Sequence, residues 1–131
     1  IVPPFPPPGF RHLPLADRLH ALSSDLRGRA MRLDPDQGCV LRAHGRATSY
    51  IPPSRQGGEV KDSTIIEECL DVSRRLKASG LARKRVFCTS NKDDYCEKGS
   101  RLFANLASDF GDVGLGFATS LPWAVNEIKK A

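Results

Sequence analysis

An α/β fold, a parallel sheet flanked by helices, follows from three stretches of this 131-residue chain. Residues 61–80, KDSTIIEECLDVSRRLKASG, place Ile65, Ile66, Cys69, Leu70, Val72 and Leu76 on or near one helical face. Residues 86–89, VFCT, form a short apolar run between Lys84-Arg85 and Ser90-Asn91, the pattern of a compact strand. A second helical pattern over about 100–110 and a second apolar run at 115–118 repeat the alternation. Helix, strand, helix, strand and helix with short joints is the rhythm of a parallel sheet.

The remaining segments can be justified in chain order. Pro3, Pro4, Pro6, Pro7 and Pro8 favour an extended polyproline conformation and exclude a regular helix, so residues 1–13 read as a proline-rich tether and 14–131 as a single α/β domain. From Pro14 onward Leu15, Leu19, Leu22, Leu26 and Ala30 recur at helical spacing with Asp and Arg between them. Residues 35–47, PDQGCVLRAHGRA, predict a second short helix with Pro35 in its first turn, weakened by Gly38 and Gly45. Residues 52–60, PPSRQGGEV, read as a loop. The helix after it carries a Thr64-x-x-Glu67 capping box at its start and Gly80 as its stop. Ser100 is the expected N-cap of the next helix, with Leu102, Phe103, Leu106 and Phe110 on one face and Gly111 after it. A last helix is expected from about Pro122 to Lys130, with Phe117 and Trp123 as core residues.

Composition narrows the function classes. With 40% apolar residues the chain can bury one core, and no apolar run approaches the roughly 18 residues of a membrane span. The start, IVPPFPPPGF, has neither the basic nor the apolar region of a secretory leader. Cys39, Cys69, Cys88 and Cys96 contain no C-x-x-C pair, which argues against structural zinc. Cys69 and Cys88 are expected to act as small buried hydrophobes, with thiols reduced in a cytoplasm. Twenty Lys plus Arg against fifteen Asp plus Glu favour a polyanionic partner. His12, His20 and His44 form no metal-binding or catalytic spacing, and the glycines of GDVGLG lie between a helix and a strand, the reverse of a dinucleotide fingerprint.

The chemistry-bearing stretch is VFCTSNKDDYC, residues 86–96. Ligands of open parallel sheets bind beyond the carboxyl ends of the strands, and Asn91, Asp93 and Asp94 follow such an end. Asp62 begins the helix before this strand, and crossover geometry brings that helix start to the same rim. Clustered carboxylates raise one another's pKa unless a cation neutralises them; Mg²⁺ or Mn²⁺ suits hard oxygen donors and phosphate substrates. On spacing alone, capping of helices and turns is the favoured reading of these aspartates. The basic stretch RRLKASGLARKR, residues 74–85, precedes the strand and falls at the opposite edge of the sheet. Arg55, Lys61 and Lys92 lie nearer the acidic rim and are better placed to touch a phosphate backbone.

The segments KDSTIIEECLDVSRRL and VFCTSNKDDY resemble the C-terminal half of a PIN-domain nuclease, over roughly residues 52–131 and most specifically over about twenty of them. The resemblance matches Asp62 to an aspartate at a helix start and Asp94, directly before Tyr95, to the acid of a T-x-N-x-x-D-[FY] strand end. Thr89 matches the polar residue at that strand end and Asn91 the turn asparagine. It implies a PIN-like fold and hydrolysis of RNA, with Asp62, Asp94 and Asn91 catalytic and Mg²⁺ or Mn²⁺ held by Asp62 and Asp94. Asp93 would be a support residue or alternative ligand. A homodimer or a protein partner such as an antitoxin is also implied. The sequence departs from the family in its N-terminal half: no strand ends in Asp-x-Asn, Asp17 and Asp25 lie on the polar side of a helix, and Asp34, Asp36 and Glu59 lie in loops. The chain opens on Ile1 rather than Met, and residues upstream of it would have to complete the carboxylate set. The alternative expectation is a PIN-like nucleic-acid-binding or scaffold module without turnover.

Overall fold

The computed structural model describes residues 9, 14–34, 36–56 and 60–130. Most of the proline-rich stretch, together with Pro35, residues 57–59 and the histidine at position 12, lies outside them. Two compact units divide the chain, residues 1–34 and 35–131, so the boundary falls at Asp34–Pro35 whereas the composition changes at Pro14.

In the first unit the leucine periodicity forms α1 (Leu15–Arg29). Pro14 offers no side-chain cap, and none of the helix residues is buried. Asp25 and Arg29, one turn apart, form an ion pair at 2.8 Å, a surface interaction worth a few tenths of a kcal/mol.

The second unit starts with a helical pair. Asp36 accepts a hydrogen bond from the Cys39 backbone N–H at 2.7 Å and starts α2 (Gln37–Thr48). Its buried residues, Cys39, Ala43 and Ala47, make a stripe of small side chains four residues apart, and α3 (Val60–Ala78) packs against α2. Helix α3 turns Ser63, Ile66, Leu70 and Ser73 inward at spacings of three and four. It ends at Gly80, whose φ of +82° glycine adopts without penalty.

Strand β1 (Arg85–Cys88) pairs in parallel with β4 (Leu115–Ala118), Arg85 opposite Leu115 and Phe87 opposite Phe117. Between them run α4 (Lys92–Tyr95), an antiparallel ladder of β2 (Cys96–Lys98) and β3 (Arg101–Leu102), and α5 (Ala104–Val113). The expected parallel sheet is therefore two strands wide among the described residues, and the β2–β3 ladder is a separate element. Helix α6 (Leu121–Lys129) packs back on β1 and β4. Its N-cap Ser120 accepts from the Trp123 backbone N–H at 3.3 Å. The core gathers Ile66 and Leu70 of α3, Tyr95 and Cys96, and Leu106, Phe110 and Val113 of α5. Phe87 lies between Tyr95, Phe110 and Phe117 with ring centroids 5.4, 5.9 and 6.4 Å away, a geometry that favours tilted and edge-to-face contact. Phe117 also stacks on Trp123, and both are half-buried.

Several local expectations are corrected. Helix α3 starts at Val60, a turn before Thr64, so there is no Thr64–Glu67 capping box: the Thr64 hydroxyl donates to the Val60 carbonyl at 2.9 Å, while Glu67 is drawn inward by arginines. Ser100 caps no helix, because residues 101–102 enter β3 and the Ser100 hydroxyl pairs with that of Thr119 at 3.2 Å. Gly111 lies within α5, and the stop is Gly114 at φ +68°. Cys88 is exposed: strand side chains alternate, and Phe87 has taken the core side. Among the described residues no helix is long and apolar enough to cross a membrane.

Candidate functional site

Beyond β1 the chain folds back on itself in short hydrogen-bonded steps. Thr89 N–H donates to the Ala118 carbonyl at 3.1 Å, continuing the β1–β4 pairing by one residue. The Thr89 hydroxyl then accepts from the Asn91 N–H at 3.2 Å. Asn91 is the N-cap of α4: its Oδ1 accepts from the Asp94 N–H at 3.4 Å, and its Nδ2 donates to Asp94 Oδ2 at 2.7 Å. One side chain thus shapes the turn and orients the carboxylate that follows it.

Tyr95 carries the arrangement across to α3. Its ring is buried, and its hydroxyl donates to Asp62 Oδ1 at 3.5 Å, a long contact. Burial first, then the negative charges of Asp62 and Asp94, push the phenol well above its ordinary value of 10.0. Asp62 of α3 is thus the carboxylate that the Tyr95 hydroxyl reaches, while Asp94 of α4 is held by Asn91. Asp62 Oδ2 and Asp94 Oδ1 accept no hydrogen bond from the described residues, so each carboxylate keeps one hard oxygen unbonded. That donor set fits Mg²⁺ or Mn²⁺, which take few protein carboxylates and fill the rest of their sphere with water and substrate oxygens.

The rim around these acids is basic. Lys61 and Lys92 are exposed and form no ion pair with a described residue. Arg55 lies with its guanidinium carbon 5.4 Å from the centroid of the Phe103 ring, and the Phe103 N–H donates to the Tyr95 carbonyl at 3.1 Å. The buried Ser54 and Ser63 hydroxyls share a hydrogen bond of 2.5 Å, tying the residue before Arg55 to the residue after Asp62. Lys61 precedes Asp62 and Lys92 precedes Asp93 in the chain, and Arg55 follows the serine bonded to Ser63. Asp93 is exposed, and among the described residues it does not join Asp62 and Asp94 in a group of three within ligand distance.

The basic run of residues 74–85 lies at the other end of β1 and is largely engaged. Arg74 and Arg75 pair with Asp71, Lys77 donates to the Asp112 carbonyl, Lys84 pairs with Glu127, and Arg85 donates to the Leu81, Arg83 and Val113 carbonyls. The further acids behave as local partners: Asp25 binds Arg29, Asp34 binds Arg32, and Asp36 caps α2. Glu59 lies outside the described residues.

Two features are not evident in the sequence. The first is an ion network centred on Glu67, which is 5% exposed. It binds Arg42 at 2.7 Å and Arg46 at 2.6 Å, and Arg46 also binds Asp109 at 2.5 Å and the Pro52 carbonyl at 3.1 Å. Arg46 so ties α2, α3, α5 and the loop bearing Arg55 together; the four-residue spacing of Arg42 and Arg46 is its only sequence signal. A cleft of about 470 Å³ lined by Arg42, Arg46, Arg74, Glu67, Asp109 and Asp112 opens over it, with its three arginines already paired to carboxylates. The second is the one three-ligand cluster found among the described residues, Asp36, Cys39 and Asp71. Asp36 is spent on its cap, Asp71 on two arginines, and burial pushes the Cys39 thiol up, away from the thiolate that binds metal.

Compared with models of protein families, with curated proteins and with solved structures, the chain matches none.

Proposed function

We propose that this protein hydrolyses RNA phosphodiesters as a PIN-like nuclease dependent on Mg²⁺ or Mn²⁺. The observation that carries the reading is the hydrogen bond from the Tyr95 hydroxyl to Asp62, made by the residue directly after the Asn91-held Asp94, beyond the carboxyl end of β1. Asp62 and Asp94 would hold the ion, and Asn91 fixes the Asp94 carboxylate. Exposed Asp93 lies beside them as a supporting charge. When bound, such an ion offsets the charge that develops on a phosphodiester during hydrolysis. Lys61, Lys92 and Arg55 bind the flanking phosphates and neutralise their repulsion from the acids. Hydrolysis adds water across one P–O bond, with hydroxide going to phosphorus and a proton to the leaving oxygen. The four cysteines are free, which suits a reducing compartment such as the cytoplasm.

A second reading rests on the count of carboxylates. Asp62 and Asp94 have no third acid within ligand distance among the described residues, as suits a module that binds RNA and does not cleave it. Isothermal titration with Mn²⁺ tests the metal site: wild type is expected to bind, and Asp62→Ala with Asp94→Ala to lose the heat. Equal heats would remove the metal and with it the nuclease. Cleavage of a labelled single-stranded RNA in Mn²⁺, abolished in Asp94→Ala, supports turnover. Metal and RNA binding without cleavage would establish the binding module.

A further inference from the structure

The groove beside Arg46 carries charge that its ion pairs do not use. Helices α2 and α5 both pack on α3, and Arg46 crosses from one to the other: it leaves α2, binds Glu67 of α3 at 2.6 Å and ends on Asp109 of α5 at 2.5 Å. Further along α3 the same two walls continue. On the α2 side Arg42 comes one turn back toward Cys39, whose thiol donates to the Glu67 carbonyl, and toward Asp36, which lies within 4.8 Å of Asp71. On the α5 side Asp112 follows Asp109 by one turn, and Lys77 reaches its backbone carbonyl at 2.9 Å. The path from Glu67 toward Lys77 therefore passes Arg42 on one wall and Asp112 on the other. Arg46 and Asp109 make one rung across the groove; Arg42 and Asp112 line the same cleft at the next position, and no hydrogen bond or ion pair joins them.

The groups at this open rung have bonding capacity left. Arg42 donates through Nε to Glu67 and through one terminal nitrogen to Cys39 Sγ, which leaves further donors on a side chain 47% exposed. Arg74 touches Asp71 only at 3.6 Å, beyond hydrogen-bond distance, while Arg75 holds that carboxylate at 2.6 Å. Asp112 is exposed, and its carboxylate accepts no hydrogen bond from the described residues, since Lys77 goes to its backbone. Asp109 keeps Oδ1 unbonded. Leu70 and Val113 complete the lining of the 470 Å³ cleft, a volume typical of small-molecule sites, in which a few polar groups fix orientation over apolar surface. The spare donors come from α2 and α3 and the spare acceptors from α5. A simple ion of either sign would be repelled by one set, whereas a molecule carrying both charges satisfies both.

We propose that this cleft binds a free α-amino acid with an apolar side chain, its carboxylate on Arg42 and Arg74, its ammonium on Asp112, and its side chain toward Leu70 and Val113. The cleft shares no residue with the proposed nuclease site, so the inference stands or falls without the metal and RNA readings. Its test is L-leucine titrated into the full chain, isotopically labelled, at neutral pH with EDTA present so that no metal carries the amino acid, and followed by amide NMR shifts. Saturating shifts are expected at residues 42, 74 and 109–113 by about 10 mM, where even a millimolar Kd is filled. N-acetyl-L-leucine lacks the ammonium and L-leucinamide the carboxylate, and each is expected to bind about 10-fold more weakly. Asp112→Asn and Arg74→Gln change exposed side chains outside the Glu67 network, so both should melt with wild type. Each is expected to weaken leucine binding about fivefold, the loss of one exposed ion pair. Asp112→Asn should leave the binding of N-acetyl-L-leucine unchanged, because the ammonium that Asp112 meets is already gone.

The absence of saturable shifts with leucine would overturn the proposal, as would saturation confined to amides elsewhere in the chain. Equal affinity for leucine and either blocked analogue would show that the cleft does not read both charges. Unchanged leucine affinity in either variant would remove the ion pair assigned to that residue. Glycine bound as tightly as leucine would remove the apolar contact. Each of these results overturns the proposal as stated.

Discussion

At the scale of single residues, adjacent aspartates have unequal roles because the backbone aims them differently. Asp94 is held by Asn91 and half-buried, whereas Asp93 is exposed. Tyr95→Phe keeps the ring against Phe87 and deletes the donor to Asp62. Mn²⁺ affinity should fall about 10-fold, the usual effect of removing a group that orients a metal ligand; unchanged affinity would show that the hydroxyl orients nothing. Because the Tyr95 pKa is raised in the folded chain, the unfolded chain releases this proton first as pH rises. Stability is then whole below the ordinary value of 10.0 and falls above it. Urea midpoints at pH 9 and 11 should drop less in Tyr95→Phe than in wild type. Gly114 is the other exacting residue: alanine at φ +68° should lower unfolding free energy by about 1 kcal/mol, read by urea titration. Asn91, Asp94 and Gly80 could be placed from sequence, because each acts on residues three or four positions away. Thr64 and Glu67 could not: their capping-box spacing is local, but Arg42 and Arg46, which fix Glu67, lie 25 and 21 residues away.

At the scale of elements, Arg46 joins what the chain separates. It is mostly buried and bonds to Glu67 of α3, Asp109 of α5 and the Pro52 carbonyl. Arg46→Ala leaves Glu67 buried with one arginine fewer and should cost about 3 kcal/mol. Arg46→Met with Glu67→Met removes both charges and should cost less than Arg46→Ala alone. If the double variant is the weaker, the network stabilises by more than mutual compensation. Helix α6 is held by Glu127, whose carboxyl is kept down to about 2 by hydrogen bonds from Lys130, Lys84 and the Trp123 ring N–H. The lowered pKa means that this contribution is present above the ordinary 4.5 and disappears as pH falls toward 2. Trp123 fluorescence should therefore report an acid transition in wild type that Glu127→Gln lacks. The β2–β3 ladder shows why element boundaries were less legible than element types. Its strands are three and two residues long, too short for any alternation of side chains to appear.

At the scale of the whole molecule, sequence periodicity named the helices and the two parallel strands because each depends on side chains within a few turns of one another. It also named Asp62 and the 91–94 turn, since a helix start and a strand end meet at one rim of an α/β sheet. The sequence alone determined α/β class and the order of the main elements. Tertiary structure decided that Phe110 and Ile66 close one core, that the Tyr95 hydroxyl reaches Asp62, and that Glu67 turns inward to Arg42 and Arg46. It decided also that an exposed Tyr50 at φ +55° ends α2. These depend on contacts across tens of residues and on one backbone angle, and the free energy of such contacts comes from burial in a shared interior. No local pattern of residue types records which distant partner will be there.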